Sequence, residues 1–331
     1  MKKLFFVLAL SGAFVGKAYA QSSLTIFGAV DEALAYDKGS TAGGKMIRLD
    51  SGDWYQSRLG FKGTEDLGGG LKANFWLESG FSSDTGALGF GGLLFGRAAW
   101  VGLSGPAGSI KMGRWYVPLY DVLYQIEPFG ASLAGDATRL MSPAGRRMDN
   151  MVEYVTPKNL GESGFAGEAS YAFGNQPGSL AKLRQEGFAT SYVTGALDVR
   201  VAYHTANDVT DSNTTKNTLL GGMYDFGVVK LRLLYGMVKD DRTVNQRDMM
   251  VGVSVPVGVH QFLASYVHKT DKFNANANAD QLGIGFIYNL SKSTALYTSF
   301  AHTVNQKAAQ YAVAVPGTSD NFLNAGIKVG F

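Results

Sequence analysis

The sequence predicts an all-β chain closed into a sixteen-stranded antiparallel transmembrane β-barrel. Three observations carry that prediction. Segments of alternating apolar and polar residues recur from Leu24 to the C-terminus, separated by turn chemistry. No stretch after Ala20 reaches about 18 consecutive apolar residues, the length a membrane helix needs. The run Leu323-Asn324-Ala325-Gly326-Ile327-Lys328-Val329-Gly330-Phe331 is a strand with one oily and one wet face, ending on an aromatic.

Residues 1–20 are expected to be a cleaved signal peptide and 21–331 the barrel domain. Lys2 and Lys3 give a positive end, Leu4 to Val15 is almost wholly apolar, and Ala18-Tyr19-Ala20 offers an A-x-A cleavage site. Cleavage changes the charge. Thirty basic residues less Lys2, Lys3 and Lys17 leave 27 against 27 acidic ones, which removes the case for a nucleic-acid partner. The chain has no cysteine, so disulfides play no part. Its 43 Gly, 20 Phe and 16 Tyr suit a twisting sheet with aromatic girdles at the membrane interfaces.

Strands are expected to begin near Leu24, Trp54, Leu71, Leu94, Ser109, Asn150, Phe165, Gly187, Leu197, Thr218, Val228, Arg247, Gln261, Gln281, Thr294 and Phe322. The alternation is clearest where Leu197, Val199, Val201 and Tyr203 oppose Asp198, Arg200 and His204. It is nearly as clear where Val229, Leu231, Leu233 and Tyr235 oppose Lys230 and Arg232. Tight turns, such as Glu65 to Gly70 and Thr194-Gly195-Ala196, alternate with longer polar stretches at 38–52, 118–149, 174–186, 205–216, 237–246, 269–279 and 304–319. Short turns on one rim and long loops on the other fit a bacterial outer-membrane barrel. Sixteen strands enclose a lumen too wide for side chains to fill. A soluble β-sandwich or propeller would bury its oily face and needs neither girdle nor terminal Phe. Glu32 falls on the apolar parity of the first strand, where a protein contact outside the barrel would tolerate it.

The stretch 118–149 is too long for a plain connection. It holds Asp121, Glu127, Asp136 and Asp149 with Arg139, Arg146 and Arg147, and its Tyr120, Leu123, Tyr124, Phe129 and Leu133 argue for order. Parity places Gln56, Arg58 and Lys62 on one wet face and Lys72, Asn74 and Glu78 on the next. Lys62 and Lys111 read as plain wet-face charges. No enzyme signature is present: there is no G-x-S-x-G and no P-loop, and His204, His260, His268 and His302 lie on different strands. No catalytic residue, cofactor or metal is therefore expected; Asp208, Asp211 and Asn213 could hold a surface cation but read more simply as a solvated loop.

The run Ser57-Arg58-Leu59-Gly60-Phe61-Lys62-Gly63-Thr64-Glu65-Asp66-Leu67-Gly68-Gly69-Gly70-Leu71-Lys72-Ala73 leads into Leu77-Glu78-Ser79-Gly80-Phe81. Phe95-Gly96-Arg97, Leu119-Tyr120-Asp121, Pro128-Phe129-Gly130, Gly135-Asp136-Ala137, Met148-Asp149-Asn150 and Leu290-Ser291-Lys292 follow in order. Together with the terminal strand they resemble the Gram-negative general porins, specifically the trimeric sixteen-stranded porins of β-proteobacteria. Glu127-Pro128-Phe129-Gly130 only approximates the family's acidic Pro-Phe-Gly tip. The resemblance implies a homotrimer among outer-membrane lipid, a channel for passive diffusion of small hydrophilic solutes and ions, and a third loop folded inward as a constriction. It further implies a basic cluster of Arg58, Arg97 and Arg147 with acids Glu78 and Asp121 at the same level, joined by Glu127, Asp136 and Arg146 from the loop. Phe331 would be the signal read by the barrel assembly machinery.

With Arg58, Arg97 and Arg114 on the wall, a modest anion preference is expected. A solute-selective channel would need a track of aromatics along the lumen, and Trp76 and Trp115 make no run in the sequence. An adhesin or receptor would carry its function in its loops. The small residues Gly28, Gly60 and Ala73 are expected to form a flat outer wall where barrels pack together.

Overall fold

The computed structural model describes residues 22–42, 44–141 and 145–331, so the expected signal peptide lies outside the described residues. One antiparallel sheet runs round and closes on itself. Its first half contains β1 (Ser23–Thr41), β2 (Gly44–Ser51), β3 (Arg58–Gly68), β4 (Leu71–Gly80), β5 (Ala98–Gly105), β6 (Gly108–Tyr116), β7 (Arg147–Val155), β8 (Gly164–Ala172) and β9 (Gln185–Thr194). It continues through β10 (Leu197–Asn207), β11 (Thr214–Asp225), β12 (Lys230–Lys239), β13 (Asn245–Val257), β14 (His260–Asp271), β15 (Ala279–Asn289), β16 (Thr294–Asn305) and β17 (Ser319–Gly330). β2 and β3 lie end to end along one flank of β1, which pairs Glu32–Thr41 with the former and Ser23–Ala29 with the latter. They share one strand position, so the segments fill the sixteen positions the sequence predicts.

Several boundaries differ from expectation, β5 starting at Ala98 rather than Leu94 and β11 at Thr214 rather than Thr218, and two differences shape the neck side of the barrel. The stretch 38–52 is not a loop but the end of a hairpin, with β1 running to Thr41 and β2 returning from Gly44. Its polar residues hid a strand. Ile47 and Leu49 point outward, while Arg48 pairs with Asp37 at 3.3 Å and Asp50 at 2.7 Å. The strand expected at Trp54 starts only at Arg58, because residues 52–57 leave the wall.

Face parity follows the sequence. On β10, Leu197, Val199, Val201 and Tyr203 are exposed on the outer face, and Asp198, Arg200, Ala202 and His204 are buried on the inner one. In hydrocarbon an open strand edge would leave backbone groups unsatisfied, so the sheet must close. It does so where Ala29–Lys38 of β1 pair with Gly330–Asn321 of β17, and Gly28 and Phe331 exchange backbone hydrogen bonds of 3.0 Å. The Phe331 ring covers the seam; a Cβ on Gly28 would stand 2.4 Å from it. Gly60 is not on the outer wall. It faces the lumen beneath Phe27, whose ring a Cβ there would meet at 2.3 Å.

Candidate pore constriction

Between β6 and β7 the chain turns into the lumen. Pro118 opens α1 (Pro118–Ile126), where its fixed φ suits the first turn and its missing N–H would have had no helical partner. The helix is amphipathic and presents Leu119, Val122, Leu123 and Ile126 to Ala166, Ala189, Ala202, Leu219 and Leu234 of the inner wall. The wall can receive it because its inward positions are small. A Cβ on Gly187, Gly221, Gly252 or Gly283 would stand 2.7, 2.9, 2.8 or 2.5 Å from Pro118, Ile126, Pro128 and Gly135 respectively. These glycines, on β9, β11, β13 and β15, form the bed of the loop.

Polar contacts fix the rest of it. Glu127 Oε2 accepts the backbone N–H groups of Phe129 and Ala131, both at 2.8 Å, and so shapes the Pro-Phe-Gly tip. Burial and the neighbouring Asp136 push the Glu127 carboxyl well above the usual carboxylate range. Ser299 Oγ accepts the Ala134 N–H at 3.0 Å, while Ser265 and Gln281 donate to the carbonyls of Gly135 and Asp136 at 3.0 and 2.9 Å. Arg139 reaches Asp320 of β17 at 2.6 Å.

A second segment meets the loop from the opposite side. Gly52, at φ +81°, turns residues 52–57 inward; a Cβ there would stand 2.7 Å from Gln56 Cα. Trp54 packs edge-on against Tyr297 at 5.6 Å, and its carbonyl accepts the Ser132 hydroxyl of the loop tip. The Tyr55 N–H donates to Asp31 at 3.1 Å, and Asn324 donates to Asp53 at 2.9 Å. The only sequence signal for this inlet is Ser51-Gly52-Asp53, a turn triplet just before the strand expected at Trp54.

The opening left between the two segments, about 310 Å³, is lined by Arg58, Arg97, Arg146 and Arg147, by Asp53 and Asp136, and by Tyr55, Tyr116, Tyr120 and Tyr124. Glu78, only 4 % exposed, stands behind the arginines with Oε1 at 2.5 Å from Arg97 and 3.4 Å from Arg58. Arg97 also donates to Gln56 Oε1 at 2.5 Å and to the Tyr116 hydroxyl at 3.1 Å. Arg147 donates to that same hydroxyl and to the Arg97 carbonyl, each at 2.7 Å. The Arg58 guanidinium lies 3.7 Å from the Tyr55 ring centre. A planar, permanently charged group held by stacking and directed hydrogen bonds makes a fixed field, which a flexible ammonium would not.

Of the residues expected at the neck, Arg58, Glu78, Arg97, Asp136, Arg146 and Arg147 come together. Asp121 and Glu127 do not line the opening. Tyr120 and Tyr124, four apart, share the neck-facing side of α1, and a helix turns Asp121 about 100° away from Tyr120. Its charged neighbours include Glu153, Glu168, Lys111, Arg147 and Arg200. Glu127 is folded into its own turn. Asp149 is exposed and paired with Arg114 instead. Counting Glu78, Asp53 and Asp136 against four guanidiniums leaves one positive charge in excess at the neck.

The sequence profile of the Gram-negative porin family matches residues 7–308. Outer membrane porin protein 32 of Delftia acidovorans is 34 % identical over 345 residues, which cover 98 % of this chain and 96 % of that protein. An outer membrane porin protein of Bordetella pertussis is 31 % identical over 369 residues, covering 92 % and 95 %. Among solved structures, the anion-selective porin from Comamonas acidovorans superposes with a TM-score of 0.84 at 32 % identity, over 94 % of this chain and all of that one.

Proposed function

The chain belongs to the Gram-negative porin family and is an outer-membrane channel, and from that premise we propose that its neck favours small hydrophilic anions over cations. The observation that supports this is the four-to-three excess of guanidinium over carboxylate around a narrow opening, with Glu78 held behind the arginines rather than in the passage. A narrow aqueous neck with low-dielectric walls focuses such a field on each passing ion. The solved relative at 32 % identity is itself described as anion-selective. Reversal potentials across a planar bilayer in a KCl gradient test the reading. A sign set by chloride is expected; a sign set by potassium overturns it.

The expected assembly is a homotrimer. It should run as a high-mass band on unheated gel electrophoresis, and a monomer band would contradict it. Phe331 is proposed as the feature read by the assembly machinery, in keeping with its exposed position over the closing seam. Phe331→Ser should cut the amount of porin recovered from outer membranes several-fold, while pores that do assemble keep their conductance. An unchanged yield would remove that role.

A further inference from the structure

The neck is one end of a continuous row of aromatic rings. Tyr124, Tyr120 and Tyr116 stack with centroids 6.4 and 5.2 Å apart. Tyr116 meets Trp115 at 5.2 Å, Trp115 meets Trp76 at 5.7 Å, and Trp76 meets Phe27 at 4.9 Å, each edge-on. Trp100 joins the lower cluster, 6.0 Å from Trp115. The row descends from α1 through β6 to β4 and β1, on the side of the neck toward the short-turn rim. The consecutive Trp115 and Tyr116 both join the row where β6 ends and the chain runs on into α1. The expectation that Trp76 and Trp115 make no run is thus overturned, since the members come from separate elements.

Cations flank the row along its length. Arg146 and Arg147 lie 5.5 and 4.3 Å from the rings of Tyr120 and Tyr116. Lys111 and Lys62 each lie 5.1 Å from the rings of Trp115 and Trp76 respectively. Lys62 is exposed and, among the described residues, has no ion-pair partner, while Lys111 is tied to Glu153 at 2.5 Å. A space of about 260 Å³ opens beside Lys62, Trp76 and Trp100. Tyr124 is exposed, Phe27, Trp76, Trp100, Trp115 and Tyr116 are partly exposed, and Tyr120 is buried between its neighbours. Rings bind rings and apolar faces; the flanking ammoniums and guanidiniums select the charge that comes with them.

We propose that this row is a binding track for aromatic carboxylates, the ring moving along the Tyr and Trp edges while its carboxylate passes from Arg146 and Arg147 to Lys62. The inference rests on the channel reading and goes beyond it. An aromatic cation would be repelled by the same flank, and an aliphatic acid would gain only the charge contact.

Phenylacetate, acetate and benzylammonium, added in turn to the full-length pore in planar bilayers, test it through the chloride current. Phenylacetate should reduce the current saturably at a concentration about ten-fold below that needed for acetate, and benzylammonium should not block. Trp76→Ala with Trp115→Ala should raise the half-blocking phenylacetate concentration about ten-fold. Should that pair fail to assemble, Tyr124→Ala and Lys62→Gln, both at exposed positions, should each raise it by several-fold. Equal block by phenylacetate and acetate, or block indifferent to these variants, overturns the proposal. A chloride-set reversal potential without phenylacetate block would remove the track alone; a potassium-set potential would remove the anion preference alone.

Discussion

Replacing Arg58 and Arg147 together by Ser is expected to lower the chloride-over-potassium permeability ratio about ten-fold at low salt. A chloride passing about 4 Å from a guanidinium gains about 1 kcal/mol in water-like surroundings, so removing two such contacts accounts for a change of that order. The effect should shrink as salt rises, because the screening length falls from about 10 Å at 0.1 M to about 3 Å at 1 M. Arg58 and Arg147 are the informative pair. Arg97 is bound at 2.5 Å to Glu78, and removing it would leave that buried carboxylate with the Trp76 indole N–H at 2.9 Å and a single, longer charge contact, to Arg58 at 3.4 Å. Selectivity and stability would then change together. Arg147 directs its hydrogen bonds to a hydroxyl and a carbonyl, so among the described residues no carboxylate forms an ion pair with it and its charge faces the solute. Reversal potentials that do not move in the double variant would reduce these arginines to ordinary solvated lumen residues.

Gly283→Val should widen the pore. A strand position tolerates a β-branched residue, so the sheet has no reason to reject the change. The loop does, since the new Cβ would stand 2.5 Å from the Cα of Gly135 on its returning limb. Overpacking of this kind costs about 1–3 kcal/mol, and displacing the loop relieves it more readily than deforming a closed hydrogen-bonded barrel. The hydrogen bonds that break would be those of Ser265 and Gln281 to Gly135 and Asp136, which place Asp136 at the neck. Single-channel conductance and the solute size limit should rise. Conductance and solute size limit equal to the parent's would show that the glycine bed does not hold the loop.

Much of the barrel was legible in the sequence. The alternation on β10 and β12 and the oily face of β17 marked strand after strand, and parity alone turned Arg58 and Glu78 inward. The neck was harder. Asp121 sits beside a neck-facing tyrosine in sequence yet points elsewhere, because a strand-like reading of the loop ignores the 100° step of a helix. Residues 52–57 kept their alternation while leaving the wall, so parity set Gln56 on the wet wall and left Asp53 and Tyr55 out of the neck. The inward glycines were visible from the start, but parity says only which way a missing side chain would point, not what lies against it.

The sequence by itself determined the strands, their faces, the closing aromatic and the charges available to the lumen. Those features depend on the two-residue pleat and on the solvent each face meets, both local to a segment. Tertiary structure alone decided which charges meet at the neck, and that scattered rings form one row. Those contacts join Arg58 to Glu78, Ser132 to Trp54 and Trp115 to Trp76 across separate elements. They exist only once the sheet has closed and two segments have folded into the space it encloses.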